Sequence, residues 1–198
     1  MKKLLAILIL LSTLLLSSCQ FRPNPIRDTD SNILRSGTNY YIVPAMHGVG
    51  GGLTLARDSE LCPLEVVQEV SEVRHGLPAS FIPANKDGII RESIDLNIKF
   101  NEPNTCAPNT VWRVNLPNAY GQRTLSSRGI LGRPGKGTID NWFKIKKYED
   151  RYKLVHCPSV CHTCKPVCED IGITINEKGR RSLVLNNNKP LKVMFKKA

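Results

Sequence analysis

Hydrophobic and polar residues alternate along several short stretches of the chain. In segment 96–100 (LNIKF) every second side chain is apolar, and segments 142–145 (WFKI) and 191–195 (LKVMF) follow a similar pattern. Because successive side chains of a β-strand point to opposite faces, such segments place one face against a core and the other in water. The pattern therefore predicts half-buried β-strands.

Runs of this kind recur at roughly 10- to 20-residue intervals, separated by Gly, Pro, Asn and Asp clusters, and helical periodicity is almost absent. Short strands without helices favour a closed barrel or a sandwich, since open sheet edges promote aggregation. Twelve strands would fit three four-strand units, as in a β-trefoil, although no internal repeat is visible in the residues. The predicted strands are 40–44, 53–56, 65–69, 79–83, 95–100, 111–116, 123–126, 141–147, 153–157, 171–176, 182–185 and 192–196.

The N-terminus predicts export. Lys2 and Lys3 precede a mainly apolar stretch over 4–16, and two serines follow it. This arrangement is typical of a secretory signal peptide and is too short for a transmembrane helix. We assign residues 1–19 to the signal peptide and 20–198 to the mature domain. A lipidated Cys19 in a bacterial lipobox, residues 16–19, is the alternative interpretation.

The formal charge is +11 over 198 residues, and loss of Lys2 and Lys3 leaves +9. Basic surfaces can attract nucleic acids or anionic polymers. Here the basic residues are dispersed and aromatic residues make up only 6% of the chain, so a base-stacking platform is not expected. The charge indicates neither a nucleic-acid partner nor membrane association of the mature protein.

Several segments, in order along the chain, resemble plant Kunitz-type (soybean trypsin inhibitor-like) protease inhibitors, with the miraculin-like subgroup as a candidate. The resemblance implies a disulfide-stapled all-β trefoil and a monomer exported to the extracellular space or vacuole. It also implies inhibition of a target protease, most often a serine endopeptidase. Ser31 replaces the Asp or Gly usual at its position. The matching segments are 26–34 with 40–42, 50–53, 62–64 with 66–68, 142–143, 152–157, 170–173 and 180–181 with 183–184.

Six cysteines remain after Cys19 is removed, and an even number in an exported chain predicts three disulfides. Four of them lie in the segment 157–168, at spacings of three, two and three. If this segment is the loop of an antiparallel hairpin, nested bridges follow. A zinc or iron–sulfur site that includes His162 is the alternative. The family resemblance implies the remaining bridge, so the predicted pairs are Cys62–Cys106, Cys157–Cys168 and Cys161–Cys164.

The resemblance places the inhibitory loop between the fourth and fifth strands. It puts Lys86 at the position that enters the enzyme's primary pocket, after Asn85 and before Asp87. A lysine there suits trypsin-like enzymes, whose pocket ends in a carboxylate. A small shift in the alignment would make Arg91 the bait. The exposed basic residue of the cysteine-rich loop, Lys165, is a second candidate.

Three features depart from the inhibitory pattern. Ser36 stands where relatives often carry an asparagine that supports the loop. Gly88 adds backbone freedom. Residues 85–88 also match a β-turn, which would not lie extended in an active site.

No catalytic constellation is visible, so we do not expect an enzyme, a cofactor or a resident metal. The four histidines are scattered, and Ser126, Ser127 and Asp140 have no recognisable triad context. Two alternatives remain. One is a trefoil that binds carbohydrate or protein or serves as a storage protein, although Trp112 and Trp142 lack the Gln two positions earlier that is found in trefoil lectins. The other is inhibition of a cysteine protease or serine carboxypeptidase through the 157–168 loop.

Overall fold

The computed structural model describes residues 22–56, 62, 64–102, 110–186 and 188–198. The predicted signal peptide, including Cys19, lies outside the described residues. Within these ranges no helix has both the length and the apolar character needed to cross a membrane.

Short strands dominate the described part of the chain, as the alternating pattern predicts. The described ranges contain a single 3₁₀ helix, Lys136–Asn141. The strands are β1 (Tyr40–Pro44), β2 (Leu53–Leu55), β3 (Val66–Gln68), β4 (Ala79–Pro83), β5 (Leu96–Phe100), β6 (Thr110–Val111), β7 (Arg113–Val114), β8 (Leu125–Ser126), β9 (Lys144–Tyr148), β10 (Arg151–His156), β11 (Glu169–Ile175), β12 (Arg181–Leu185) and β13 (Lys192–Lys197).

Six of these strands form a closed barrel. Antiparallel pairing runs from β13 to β1, from β1 to β4 and from β4 to β5. The pair formed by Leu96 and Phe143 connects β5 to the segment that leads into β9. The ring continues from β9 to β10 and returns from β10 to β13. Closure leaves no unpaired edge in this ring, which protects the short strands from edge-to-edge association.

Three hairpins cover one end of the barrel. They are formed by β2 with β3, β7 with β8, and β11 with β12. The hairpins contact one another through the β3–β12 pairing and through the bridges Glu65–Ser126 and Thr124–Val184. Each of the three units, β1 to β4, β5 to β9 and β10 to β13, thus contributes two barrel strands and one hairpin, which is the architecture of the predicted β-trefoil.

Several strand ends differ from the sequence-based expectation by one or two residues, and two differences are larger. The predicted strand 111–116 is divided into β6 and β7, because the backbone N–H of Trp112 donates to the carbonyl of Ile98 outside the β7–β8 ladder. The predicted strand 141–147 begins only at Lys144. Immediately before it, the indole Nε1–H of Trp142 donates to Thr138 Oγ1 at 3.2 Å, which fixes the end of the 3₁₀ helix.

Aromatic side chains from all three units fill the barrel. The ring of Phe81 packs edge-on against Phe195 at 5.3 Å between centroids, and Trp112 packs edge-on against Phe143 at 6.1 Å. All four side chains are fully buried. Since Phe81 lies in β4 and Phe195 in β13, their contact joins the first and last units of the fold.

We predict that Phe81→Ala lowers the free energy of unfolding by about 3–5 kcal/mol, because it removes a fully buried ring and leaves a cavity. Urea denaturation with the disulfides intact measures the change. Val73 is 85% exposed, and Val73→Ala is the control, with an expected change within about 0.5 kcal/mol. Equal effects of the two substitutions would contradict the assignment of Phe81 to the core.

Candidate functional site

The connection between β4 and β5 contains the predicted inhibitory segment, here called the 84–91 loop. Its base is closed where the backbone N–H of Ala84 donates to the carbonyl of Asp95 at 2.8 Å. The preceding residue, Pro83, pairs with Leu96 across the strands. The loop therefore begins on a rigid part of the barrel.

The second half of the loop is fixed by the N-terminal segment 23–36. The N–H of Ile90 donates to the carbonyl of Leu34 at 3.0 Å, and the carbonyl of Ile90 accepts from the N–H of Ile26 at 2.9 Å. All three side chains are fully buried. Since the N–H of Leu34 also donates to the carbonyl of Ile26 at 2.9 Å, the three residues form a closed set of backbone hydrogen bonds, and the isoleucine of the loop is inserted into the core.

Further backbone contacts extend this attachment toward the loop's tip. Ile89 forms an isolated bridge with Arg35, and the N–H of Ser36 donates to the carbonyl of Gly88 at 3.0 Å. The support at position 36 is therefore made by the main chain. It does not require the longer side chain that an asparagine would provide.

The predicted bait residue Lys86 lies at the exposed tip of the loop. Its N–H donates to the carbonyl of Pro83 at 3.1 Å, and its φ is 56°. This left-handed conformation differs from the extended one that a bound substrate adopts at its cleavage site. The turn comprises residues 83–86, two residues earlier than the β-turn expected at 85–88, and Lys86 is its last residue.

The side chains on either side of Lys86 fold back onto the loop. Asn85 Oδ1 accepts from the N–H of Asp87 at 3.1 Å, and Asp87 Oδ1 accepts from the N–H of Ile89 at 3.2 Å. The hydrogen bond from Ile89 and the nearby Arg91 guanidinium lower the pKa of the Asp87 carboxyl from its ordinary value. Residues 85–89 are therefore ordered by their own side chains despite Gly88.

The alternative bait, Arg91, is not presented to solvent. Its Nε lies 3.2 Å from Asp87 Oδ2, its Nη1 donates to the carbonyl of Pro23 at 3.0 Å, and its side chain is only 15% exposed. Arg91 fastens the loop, and this leaves Lys86 as the exposed basic side chain of the 84–91 loop.

The cysteine-rich segment, here called the 157–168 loop, connects β10 to β11, which pair antiparallel at its base. Cys157 is bonded to Cys168 with an S–S distance of 2.04 Å, and Cys161 to Cys164 with 2.00 Å. Lys165 is exposed between Cys164 and Pro166. A proline restricts the preceding residue to extended conformations, so this loop also displays a lysine on a constrained backbone.

A family model described as trypsin and protease inhibitor, of the Kunitz legume type, matches residues 26–197. The chain belongs to the Kunitz-type inhibitor family. Kunitz trypsin inhibitor 5 of Arabidopsis thaliana is 43% identical over 176 residues, which cover 88% of this chain and 86% of the relative. Miraculin of Synsepalum dulcificum is 44% identical over 193 residues, which cover 92% of this chain and 87% of the relative.

Solved structures of the family show the same fold. The Kunitz-type cysteine protease inhibitor PCPI-3 from potato superimposes with a TM-score of 0.76 at 33% identity, over 89% of this chain and 98% of the potato chain. The named relatives therefore include inhibitors of more than one protease class, and family membership alone does not select the target.

The remaining cysteines of this Kunitz-type chain are only partly described. Cys62 is disulfide-bonded, and its predicted partner Cys106 lies outside the described residues. In the 157–168 loop all four sulfurs are in disulfides. Over the described ranges no group of three or more His, Cys, Asp or Glu side chains is arranged to hold a metal ion.

Three of the polar residues considered for catalysis make separate structural contacts in this Kunitz-type chain. Ser126 Oγ donates to Asn115 Oδ1 at 2.7 Å, and Asp140 lies 3.6 Å from an Arg113 nitrogen. The buried His156 faces the carbonyl of Trp142, with Nδ1 at 3.1 Å. These contacts do not form a nucleophile–base pair.

Sequence reasoning missed the hydrogen-bond partner of one buried carboxylate beside the two loops. The Asp95 carboxylate is almost completely buried and accepts hydrogen bonds from the backbone and side chain of Ser159. An aspartate at the start of an apolar strand signals that a partner is needed. The pattern could not identify a serine 64 positions away.

His156 predicts a pH dependence of stability. Its burial lowers the pKa from the usual value of 6.5. The unfolded chain therefore binds a proton near pH 6.5 that the folded chain does not, and stability is lost as pH falls below that value. Urea unfolding between about pH 5 and 6.5 should show a smaller pH dependence for His156→Gln than for wild type. His162→Gln, on the exposed loop, is the control, and an unchanged dependence in His156→Gln would contradict the role of burial.

Proposed function

We propose that this chain is a secreted, monomeric inhibitor of serine endopeptidases that inserts the 84–91 loop into the enzyme's cleft with Lys86 in the primary pocket. The observation that carries the proposal is the fixation of this loop at both ends while its lysine remains exposed. The base is closed by the Ala84–Asp95 hydrogen bond, and the far end is held by Ile90 in the core.

Fixation at both ends explains how such a loop inhibits instead of being consumed as a substrate. An ordered loop loses little conformational entropy when it binds. After attack on the bond between Lys86 and Asp87, the Asp87 side remains attached through Ile89 and Ile90, so the leaving amine stays close to the acyl-enzyme. Religation then competes with hydrolysis, and the complex dissociates slowly.

Binding requires a local change at Lys86. The left-handed conformation of a non-glycine residue lies about 1 kcal/mol above the extended one. Rotation of Lys86 into the extended region releases that strain but breaks its hydrogen bond to Pro83. We infer that these two contributions partly offset each other and that the loop's tip adapts while its two ends remain fixed.

Export follows from the signal peptide assigned to residues 1–19 and agrees with the disulfides of the 157–168 loop. Disulfides persist in oxidising compartments outside the cytosol. The extracellular space or the vacuole is the proposed location, and the target protease is the proposed partner.

We predict that Lys86→Ala weakens inhibition of trypsin at least about 100-fold, because the side chain that fills the primary pocket is removed. Inhibition constants measured by titration of active trypsin report the change. Lys178→Ala, an exposed lysine of the β11–β12 turn, serves as the matched control and should bind like wild type. Full inhibition by Lys86→Ala would show that another residue occupies the pocket.

The 157–168 loop supports a second candidate function. Lys165 stands on a backbone limited by two disulfides and by Pro166. This loop could block a cysteine protease or a serine carboxypeptidase. Titration against papain and a carboxypeptidase separates the two functions, since Lys165→Ala and not Lys86→Ala would then abolish inhibition. Failure against every protease class, with binding on a glycan array, would favour a carbohydrate-binding trefoil. Failure in both assays would favour a storage role.

A further inference from the structure

The carboxylate of Asp95 is held by the 157–168 loop. It accepts from the N–H of Ser159 at 3.2 Å through Oδ1 and 3.0 Å through Oδ2, and from the Ser159 hydroxyl at 2.6 Å. Its residue is only 7% exposed. Lys144 Nζ lies 3.6 Å from Oδ1 and donates to Ser159 Oγ at 3.1 Å. The charge of this buried carboxylate is therefore compensated by two neighbours from other parts of the chain.

The backbone of the same aspartate closes the 84–91 loop. Its carbonyl accepts from the N–H of Ala84 at 2.8 Å, at the point where the chain leaves β4. The next residue, Leu96, exchanges backbone hydrogen bonds with Phe143. Asp95 thus contacts the 157–168 loop with its side chain and the 84–91 loop with its main chain.

Ser159 occupies a fixed position within the 157–168 loop. It lies between Cys157 and Cys161, each of which is in a separate disulfide. The preceding residue, Pro158, is buried. A serine held in this way loses little freedom when it bonds to Asp95, so its hydrogen bonds can restrain the aspartate effectively.

We propose that Asp95 is a positioning residue that couples the 157–168 loop to the base of the 84–91 loop. The disulfide-stapled loop then supports the inhibitory loop from behind, and Ser159 transmits the restraint. This inference rests on the proposed function, because the supported loop is the one assigned to the protease cleft. It gives the 157–168 loop a role that does not depend on Lys165.

Loss of the serine hydroxyl removes a charge-assisted hydrogen bond from a buried carboxylate. Without this hydrogen bond, the buried carboxylate lowers its free energy by moving toward water. The backbone carbonyl of Asp95 moves with its side chain. This movement weakens the hydrogen bond that the carbonyl accepts from the Ala84 N–H. The effect should be local, since the strand ladder from Leu96 onward is unchanged.

We predict that Ser159→Ala speeds amide hydrogen exchange at Ala84 and Lys86 by about tenfold, the size expected for loss of one hydrogen bond to a charged group. Amides of β13 should exchange as in wild type. In complexes with trypsin the dissociation rate constant should rise by about the same factor, with little change in the association rate constant. Ser159→Thr, which keeps the hydroxyl, should restore both values.

Thr163→Ala is the matched control, because Thr163 is exposed on the same loop and its hydroxyl contacts only the Cys161 sulfur, at 3.7 Å, among the described residues. It should change neither exchange nor dissociation. Unchanged exchange at Ala84 in Ser159→Ala would overturn the coupling, and so would a uniform rise at all amides. Faster exchange with unchanged dissociation would overturn the positioning role. If wild type inhibits no protease, the proposed function fails and the exchange measurement alone decides the coupling.

Discussion

The attachment of Ile90 to Ile26 and Leu34 of the N-terminal segment is the contact on which the site depends. Both backbone polar groups of Ile90 are bonded to that segment, and its side chain is completely buried. Detaching Ile90 would expose its side chain to water and break two backbone hydrogen bonds, and both changes are unfavourable in free energy. The residues just before it are therefore tied to the barrel, however much the lysine at the tip adapts.

The trefoil makes this attachment possible by bringing distant segments together. The N-terminal segment 23–36 lies beside the 84–91 loop, and the pairing of β1 with β13 closes the barrel next to it. The 157–168 loop reaches the same region from the third unit through Ser159. One face of the fold thus receives contacts from the N-terminal segment and from the third unit, and the exposed loop can be short.

Local pattern was sufficient to predict most of the barrel. Strands β1 and β4 begin and end where alternation and the flanking turn residues predict. Alternation could not reveal the interruption at Trp112, which results from a hydrogen bond to Ile98 in another strand. The sequence did not predict the 3₁₀ helix before Trp142 for a different reason: its six residues are too few to show a helical period.

The sequence proposed residues for the candidate site but could not give their conformation. The family resemblance placed Lys86 at the position of the bait residue, and the turn propensity of its neighbours indicated that the lysine would not be extended. The left-handed Lys86 is hydrogen-bonded to Pro83, and Arg91 is held separately by Pro23 and Asp87. The order of residues along the chain does not specify such geometry. For the same reason, the sequence pattern could not predict the contact between Asp95 and Ser159.

The most direct test of the account is to locate the bond that a protease cuts in the inhibitor. The chain would be incubated with a catalytic amount of trypsin, then reduced and analysed by mass spectrometry. We expect hydrolysis at a single peptide bond, between Lys86 and Asp87, in protein that still inhibits. First cleavage at another lysine or arginine, or stoichiometric inhibition without any contact of trypsin with the 84–91 loop in the complex, would contradict the account.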